Sequence, residues 1–224
     1  MRVASALLVA VLLSTCAISG TFAKYVTAES GTDQARVAKW GVAVEADSFG
    51  MFETDYKTDA TGVTFTGASS VSSSNGDKLL APGTSGSFAN IAITGTPEVA
   101  VDVSIVADVA VFGKWIADGV FYCPVVVTVG GEDISGLDYD SADAFAAAIE
   151  TEINGKSAQY APGEDLGAIY NNTNLDLAWA WAFEGATGSK QNQSDEKDTE
   201  LGGYDVADDL TISIGVAITV TQID

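Results

Sequence analysis

The stretch LLAPGTSGSFANIAITGTPEVAVDVSIVADVAV, residues 79–111, decides the fold class of this chain. Pro82-Gly83 followed by Gly86 is turn chemistry, because proline presets φ and glycine accepts a positive φ. Further on, apolar residues occupy every second position, as in Val101, Val103 and Ile105. A period of two is typical of a strand with one buried face and one face toward water. The stretch therefore predicts antiparallel β-structure around which the rest of the chain is organised.

Segments after this stretch support the same fold class. Leu210–Val220 alternates between isoleucine or valine and small residues, and Leu177, Trp179 and Trp181 alternate in the same way, which predicts tryptophans in a core. The exception is 140–153, where a capping residue precedes an apolar stripe at helical spacing. We predict an all-β, jelly-roll-type antiparallel β-sandwich, with one short inserted helix at 140–153 and long surface loops, forming a single domain over 37–224.

The composition excludes several classes of function. The chain has 224 residues, with 10 Lys plus Arg against 31 Asp plus Glu, a net charge of -21. Nucleic acids and anionic membranes need basic surfaces, so neither is an expected partner. Histidine is absent, which removes Ser-His-Asp and Cys-His catalysis and the HExxH zinc site. No spacing points to other catalytic chemistry, so we assign no catalytic residue and do not expect an enzyme.

The first 23 residues have the features of a secretory signal peptide. Arg2 precedes a short apolar run, and small residues at Thr21 and Ala23 predict cleavage between Ala23 and Lys24. The alternative is a lipid attached to Cys16, with no cleavage at Ala23. Cleavage would leave Cys123 as the only cysteine, flanked by apolar residues, so we expect a buried and unreactive thiol.

Acidic side chains raise the question of calcium. Residues 185–207 form a predicted polar loop, and its Asp195, Glu196, Asp198 and Glu200 offer carboxylate oxygens, which calcium prefers. A solvated acidic loop without metal explains the same residues, so we assign no cofactor and keep calcium as an alternative.

Several motifs together resemble the TasA/camelysin family of secreted proteins with SipW-type signal peptides. They are spread over most of the chain after residue 23 and occur in this order: TFAKY at 21–25, ARVAKWGV at 35–42, LLAPGTSGSF at 79–88, TPEVAVDVSI at 96–105, WAWAFE at 179–184, DTELGG at 198–203 and ITVTQID at 218–224. The resemblance implies a jelly-roll subunit of extracellular fibres, in a biofilm matrix or on the cell surface. Its implied partners are further copies of itself, a dedicated signal peptidase and accessory matrix proteins.

The family resemblance also implies a mechanism, donor-strand complementation, in which the N-terminal segment of one subunit completes the sheet of the next. Here that segment is the arm at 24–36, and we expect its first residues to bind: Lys24, Tyr25, Val26, Thr27 and Ala28. The arm has few large apolar residues, so an ordinary tail is the alternative. Two other functions stay open, a monomeric module that binds calcium or glycan and a camelysin-like protease, although the latter has no histidine to use.

Overall fold

The structure is a computed structural model. It describes residues 35–46, 51–57, 70–88, 91–170, 175–183, 194–204 and 210–223. The chain divides into two compact units, Met1–Val37 and Ala38–Asp224. The described part of the first unit is residues 35–37, and all elements named below belong to the second. The predicted signal peptide, Cys16, the Ala23–Lys24 cleavage site and the arm up to residue 34 lie outside the described residues.

The described residues form thirteen strands. In chain order they are β1 (Ala43–Ala46), β2 (Asp55–Tyr56), β3 (Val71–Ser72), β4 (Thr84–Phe88), β5 (Ile91–Thr94), β6 (Val101–Phe112), β7 (Ile116–Ala117), β8 (Val120–Phe121), β9 (Val126–Val129), β10 (Glu132–Ser135), β11 (Ala158–Tyr160), β12 (Leu177–Trp181) and β13 (Thr211–Gln222). Every pairing among them is antiparallel.

Two sheets carry most of the architecture. One has the strand order β10-β9-β12-β4, and the other has the order β11-β6-β13. The remaining pairs are β1 with β5, β2 with β3, and β7 with β8. The prediction of an all-β, sandwich-like antiparallel fold is confirmed, while the jelly-roll connectivity stays a prediction.

The buried faces follow the alternation seen in the sequence. On β6, the side chains from Val101 to Val111 at odd positions are buried, and those at even positions are exposed or half-buried. Trp179 and Trp181 of β12 are 2% and 3% exposed, which confirms their placement in the core. Trp179 Nε1 donates to the Met51 carbonyl oxygen at 2.8 Å, so this indole also has its polar group satisfied.

The predicted helix is present, as α1 (Ala142–Asn154). Ser141 caps it, because its Oγ accepts from the Ala144 amide at 3.2 Å. Phe145, Ile149 and Ile153 are buried, as the apolar stripe predicts. The expectation of a single helix was wrong, since α2 (Leu166–Ile169) and α3 (Asp195–Gly202) are also present. The helix α3 lies within the predicted acidic loop at 185–207, where Ser194 caps it.

The sequence predicts a turn at Gly86, but in the structure this residue lies inside β4. A Cβ placed on Gly86 would lie 1.9 Å from the Met51 carbonyl oxygen and 2.8 Å from Trp179 Nε1. Glycine is needed here because the segment at Met51 crosses close to β4 and binds the Trp179 indole. Pro82-Gly83 does form the turn, with Gly83 at φ 78°.

We predict that Gly86→Ala destabilises the protein by about 1–3 kcal/mol, because the added methyl group pushes the Met51 segment away from Trp179. The free energy of unfolding, measured by chemical denaturation, tests this. Gly202→Ala is the matched control, since a Cβ there meets nothing within 4 Å. Equal stability of Gly86→Ala and the parent protein would contradict the close approach.

Candidate functional site: the open edge of strand β13

The longest pairing in the structure joins β6 and β13. It runs over twelve residue pairs, from Thr211 opposite Phe112 to Gln222 opposite Val101. β13 lies at the end of its sheet, and no strand in the described part of the chain pairs with its other side. A long edge strand offers a row of backbone N–H and C=O groups with which another chain can pair.

The far side of β6 shows which backbone groups of β13 face this open edge. Three β6 amides donate to side chains away from β13, those of Ile105, Ala107 and Val109. In an antiparallel ladder, directly opposite residues either both face each other or both point away. The β13 residues opposite these three therefore turn their N–H and C=O groups to the open edge, namely Ile218, Val216 and Ile214.

The apolar face of β13 is incompletely covered. Ile214, Val216, Ile218 and Val220 are half-buried, although they share a face with β6 side chains that are completely buried. Ile105, opposite Ile218, is 1% exposed. The shared apolar face is thus buried on β6 but only half-buried on β13. Side chains of an added strand would gain apolar burial there.

Two small cavities adjoin the first half of β13. Their volumes are about 190 and about 200 Å³, and both are lined by Phe52 and Lys78 on one side and by Ile212 on the other. Small-molecule sites usually have roughly 300–1,000 Å³, so each cavity suits a single side chain better than a whole ligand. An open strand edge with side-chain pockets beside it is the arrangement that binds extended peptides by strand addition.

The four acidic metal candidates do not converge. Asp198 is buried and accepts a hydrogen bond from the Tyr122 hydroxyl at 2.8 Å, while Asp195 and Glu196 are exposed in the first turn of α3. Glu200 Oε2 accepts from the Asp118 amide at 3.1 Å. Among the described residues, no group of three or more Asp, Glu, Cys or His side chains could hold a metal ion. This hydrogen bond between Glu200 and Asp118 connects α3 to the β7–β8 hairpin.

Cys123 lies in the core and is free, as the sequence predicted. Burial raises the pKa of its thiol from 9.0 to about 12, so the thiol keeps its proton at neutral pH. Burial also raises the pKa of Tyr122 and of Tyr170. Only the thiolate is a good nucleophile, so this cysteine is not activated for chemistry.

The sequence predicted the two long strands and their faces but not the site. The alternation in 210–220 marks β13 as a strand, yet whether a strand lies at an edge depends on which distant segments pair with it. The lining of the cavities by Phe52 and Lys78 has no local signal. The arm residues Lys24, Tyr25, Val26, Thr27 and Ala28 lie outside the described residues, so the structure does not place them.

No family model, curated protein or solved structure matches this chain. In the described part of the chain, no helix is long and apolar enough to cross a membrane.

We predict that Cys123 in the folded protein reacts with a thiol reagent at pH 8 at least about 100-fold more slowly than in denaturant, because its neutral thiol is buried. Equal rates in both states would contradict this burial.

The raised pKa of the Cys123 thiol also makes the stability of the protein depend on pH. The folded state holds the proton that the unfolded chain loses above about pH 9, so the free energy of unfolding falls as pH rises from 9 toward 12. Cys123→Ala should reduce this fall.

Proposed function

We propose that this protein is a secreted structural subunit of extracellular fibres, in which the N-terminal arm of one subunit adds as a strand to the β13 edge of the next. The observation that carries the proposal is the open edge of β13, twelve residues long, with a half-covered apolar face. Long, apolar edge strands favour pairing with another chain, and proteins that do not use them normally block them. The family resemblance of the sequence supports the same function independently.

The arm and the edge agree in length. Thirteen residues, 24–36, span about 44 Å when extended, and the twelve residues of β13 span about 41 Å. The arm supplies Tyr25 and Val26 as its large apolar side chains, and burying each contributes at most roughly 1.5–3 kcal/mol. Backbone hydrogen bonds to Ile214, Val216 and Ile218 would add about 0.5–1.5 kcal/mol each.

A contact between the arm of one subunit and the β13 edge of the next is head-to-tail. Such contacts join different surfaces of identical subunits, so they give filaments wherever the rotation from one subunit to the next does not close a ring. The predicted signal peptide fits this scheme, because the arm would become a free terminus only after cleavage at Ala23–Lys24 by a signal peptidase. Localisation in the extracellular matrix or at the cell surface belongs to the same proposal.

The described residues support the β13 edge more than the alternatives. A calcium module would need converging oxygen ligands, and among the described residues no group of three or more acidic side chains could hold a metal ion. Trp179 and Trp181 cannot serve as an exposed platform for glycan, since both lie in the core.

We expect protein that begins at Lys24 to form filaments by negative-stain electron microscopy, and protein that lacks Lys24–Gln34 to remain folded and monomeric. The reason is that the shorter protein keeps the β13 edge but loses the strand that pairs with it. Circular dichroism of both proteins checks that the fold is intact. Filaments in equal yield from the shorter protein would overturn the role of the arm, and monomers from both would overturn the fibre proposal.

We further expect Val216→Pro to abolish filaments without unfolding the subunit. The Val216 amide faces the open edge, so proline there removes a donor for the incoming strand while the bonds to β6 remain. Val216→Ala is the matched control, because it shortens the side chain and keeps the amide. Sedimentation velocity measures assembly, and thermal unfolding measures the fold. Normal filaments from folded Val216→Pro would show that the strand adds elsewhere.

A further inference from the structure

From Ile105 to Val109, the far edge of β6 is closed by side chains of α1 and of the turn after it rather than by a strand. The Val109 amide donates to Glu150 Oε1 at 3.0 Å, the Ala107 amide to Asn154 Oδ1 at 2.7 Å, and the Ile105 amide to Ser157 Oγ at 2.8 Å. Ser157 Oγ also donates to the Ile105 carbonyl oxygen at 3.1 Å. We call Glu150, Asn154 and Ser157 the side-chain ladder.

The ladder continues directly into a real strand. Immediately after Ser157, β11 pairs with β6, with Ala158 opposite Val103 and Tyr160 opposite Val101. One segment, 150–160, therefore runs antiparallel to β6 and covers its edge from Val109 to Val101, first with side chains and then with backbone. This arrangement occupies the positions that an incoming strand would take.

The choice of residues fits the geometry of a helix beside a strand. Outward amides recur every two residues of a strand, about 6.8 Å, while the four helical steps from Asn154 back to Glu150 advance only about 6.0 Å. The helix thus falls behind the strand with distance from β11. The side chains lengthen in the same direction, from Ser157 through Asn154 to Glu150.

We propose that α1 and the turn after it block a second strand-acceptor edge, at Ile105–Val109 of β6, so that, within this sheet, strand addition from a second copy of this chain is confined to β13. This inference rests on the proposed function. With both edges of the sheet open, a subunit would accept two strands and filaments would branch or associate laterally. With the β6 edge closed, this sheet keeps β13 as its one long acceptor edge among the described strands, and growth through that edge is linear.

The same contacts would exist in a protein that merely satisfies its buried amides. The two roles differ in what happens when the acceptors are removed. A purely structural ladder changes the protection of the β6 amides, whereas a blocking ladder also changes how copies of the chain associate.

The test uses the triple variant E150A/N154A/S157A in the protein that otherwise keeps its whole chain. Hydrogen–deuterium exchange should become at least about tenfold faster at the amides of Ile105, Ala107 and Val109, because these lose their acceptors. Sedimentation velocity and electron microscopy should show branched or laterally associated species that the parent protein lacks.

Two controls isolate the acceptors. E150Q/N154D/S157T keeps an acceptor oxygen at each position and should match the parent protein in exchange and in assembly. Glu152→Ala removes one carboxylate from the same helix and breaks its ion pair with Lys156, 2.8 Å long, without touching β6, and should also match. If circular dichroism shows that the triple variant is unfolded, Asn154→Ala alone reads the same quantities at the Ala107 amide.

Faster exchange with unchanged assembly would overturn the blocking role, and so would unchanged exchange. The result is separable from the proposed function. If the parent protein forms no filaments, the fibre proposal fails, while self-association of the triple variant beside a monomeric parent protein would still show that the ladder closes an edge.

Discussion

The hydrogen bonds on the two sides of β6 are the constraint on which the rest of the structure depends. A buried strand must satisfy its amides and carbonyls on both edges. On one side, β6 does so with a partner of equal length, β13. On the other side it uses 150–160, which comprises the end of α1, a turn and the strand β11. This unequal solution places α1 beside the sheet, and it makes β13 the outermost long strand.

The acidity of the chain is compatible with the proposed assembly, which relies on backbone hydrogen bonds between strands. A net charge of -21 opposes unspecific contact between copies, because like-charged surfaces repel. Strand addition joins neutral N–H and C=O groups, and the β13 positions that face the open edge carry isoleucine and valine. In the proposed fibre, repulsion elsewhere on the surface and pairing at one edge together favour a single mode of association.

The sequence predicted those features that have a local cause. The alternation in β6 and β13 and the stripe of Phe145 with its Ser141 cap are local, and the structure confirms them. The helix α3 was not predicted, because DEKDTELG has only Leu201 as a large apolar residue and therefore shows no apolar stripe. The need for glycine at position 86 was not predicted, because it comes from the close approach of the Met51 segment, which is distant in the sequence. The open edge, the basis of the candidate site, depends on pairing between distant segments and has no local signature.

The helix α1 has two side-chain stripes with different roles. Its apolar stripe at Phe145, Ile149 and Ile153 anchors it in the core, and a second stripe beginning one residue after Ile149 carries the ladder through Glu150 and Asn154. Because both stripes have the spacing of one helical face, packing the first against the core brings the second to the β6 edge without further adjustment. Polar residues on the flank of an amphipathic helix are usually assigned to water. Here Glu150 and Asn154 accept hydrogen bonds from β6 amides that no strand pairs with, so in the proposed scheme the same residues that keep the helix amphipathic also decide which edge of the sheet remains open to another chain.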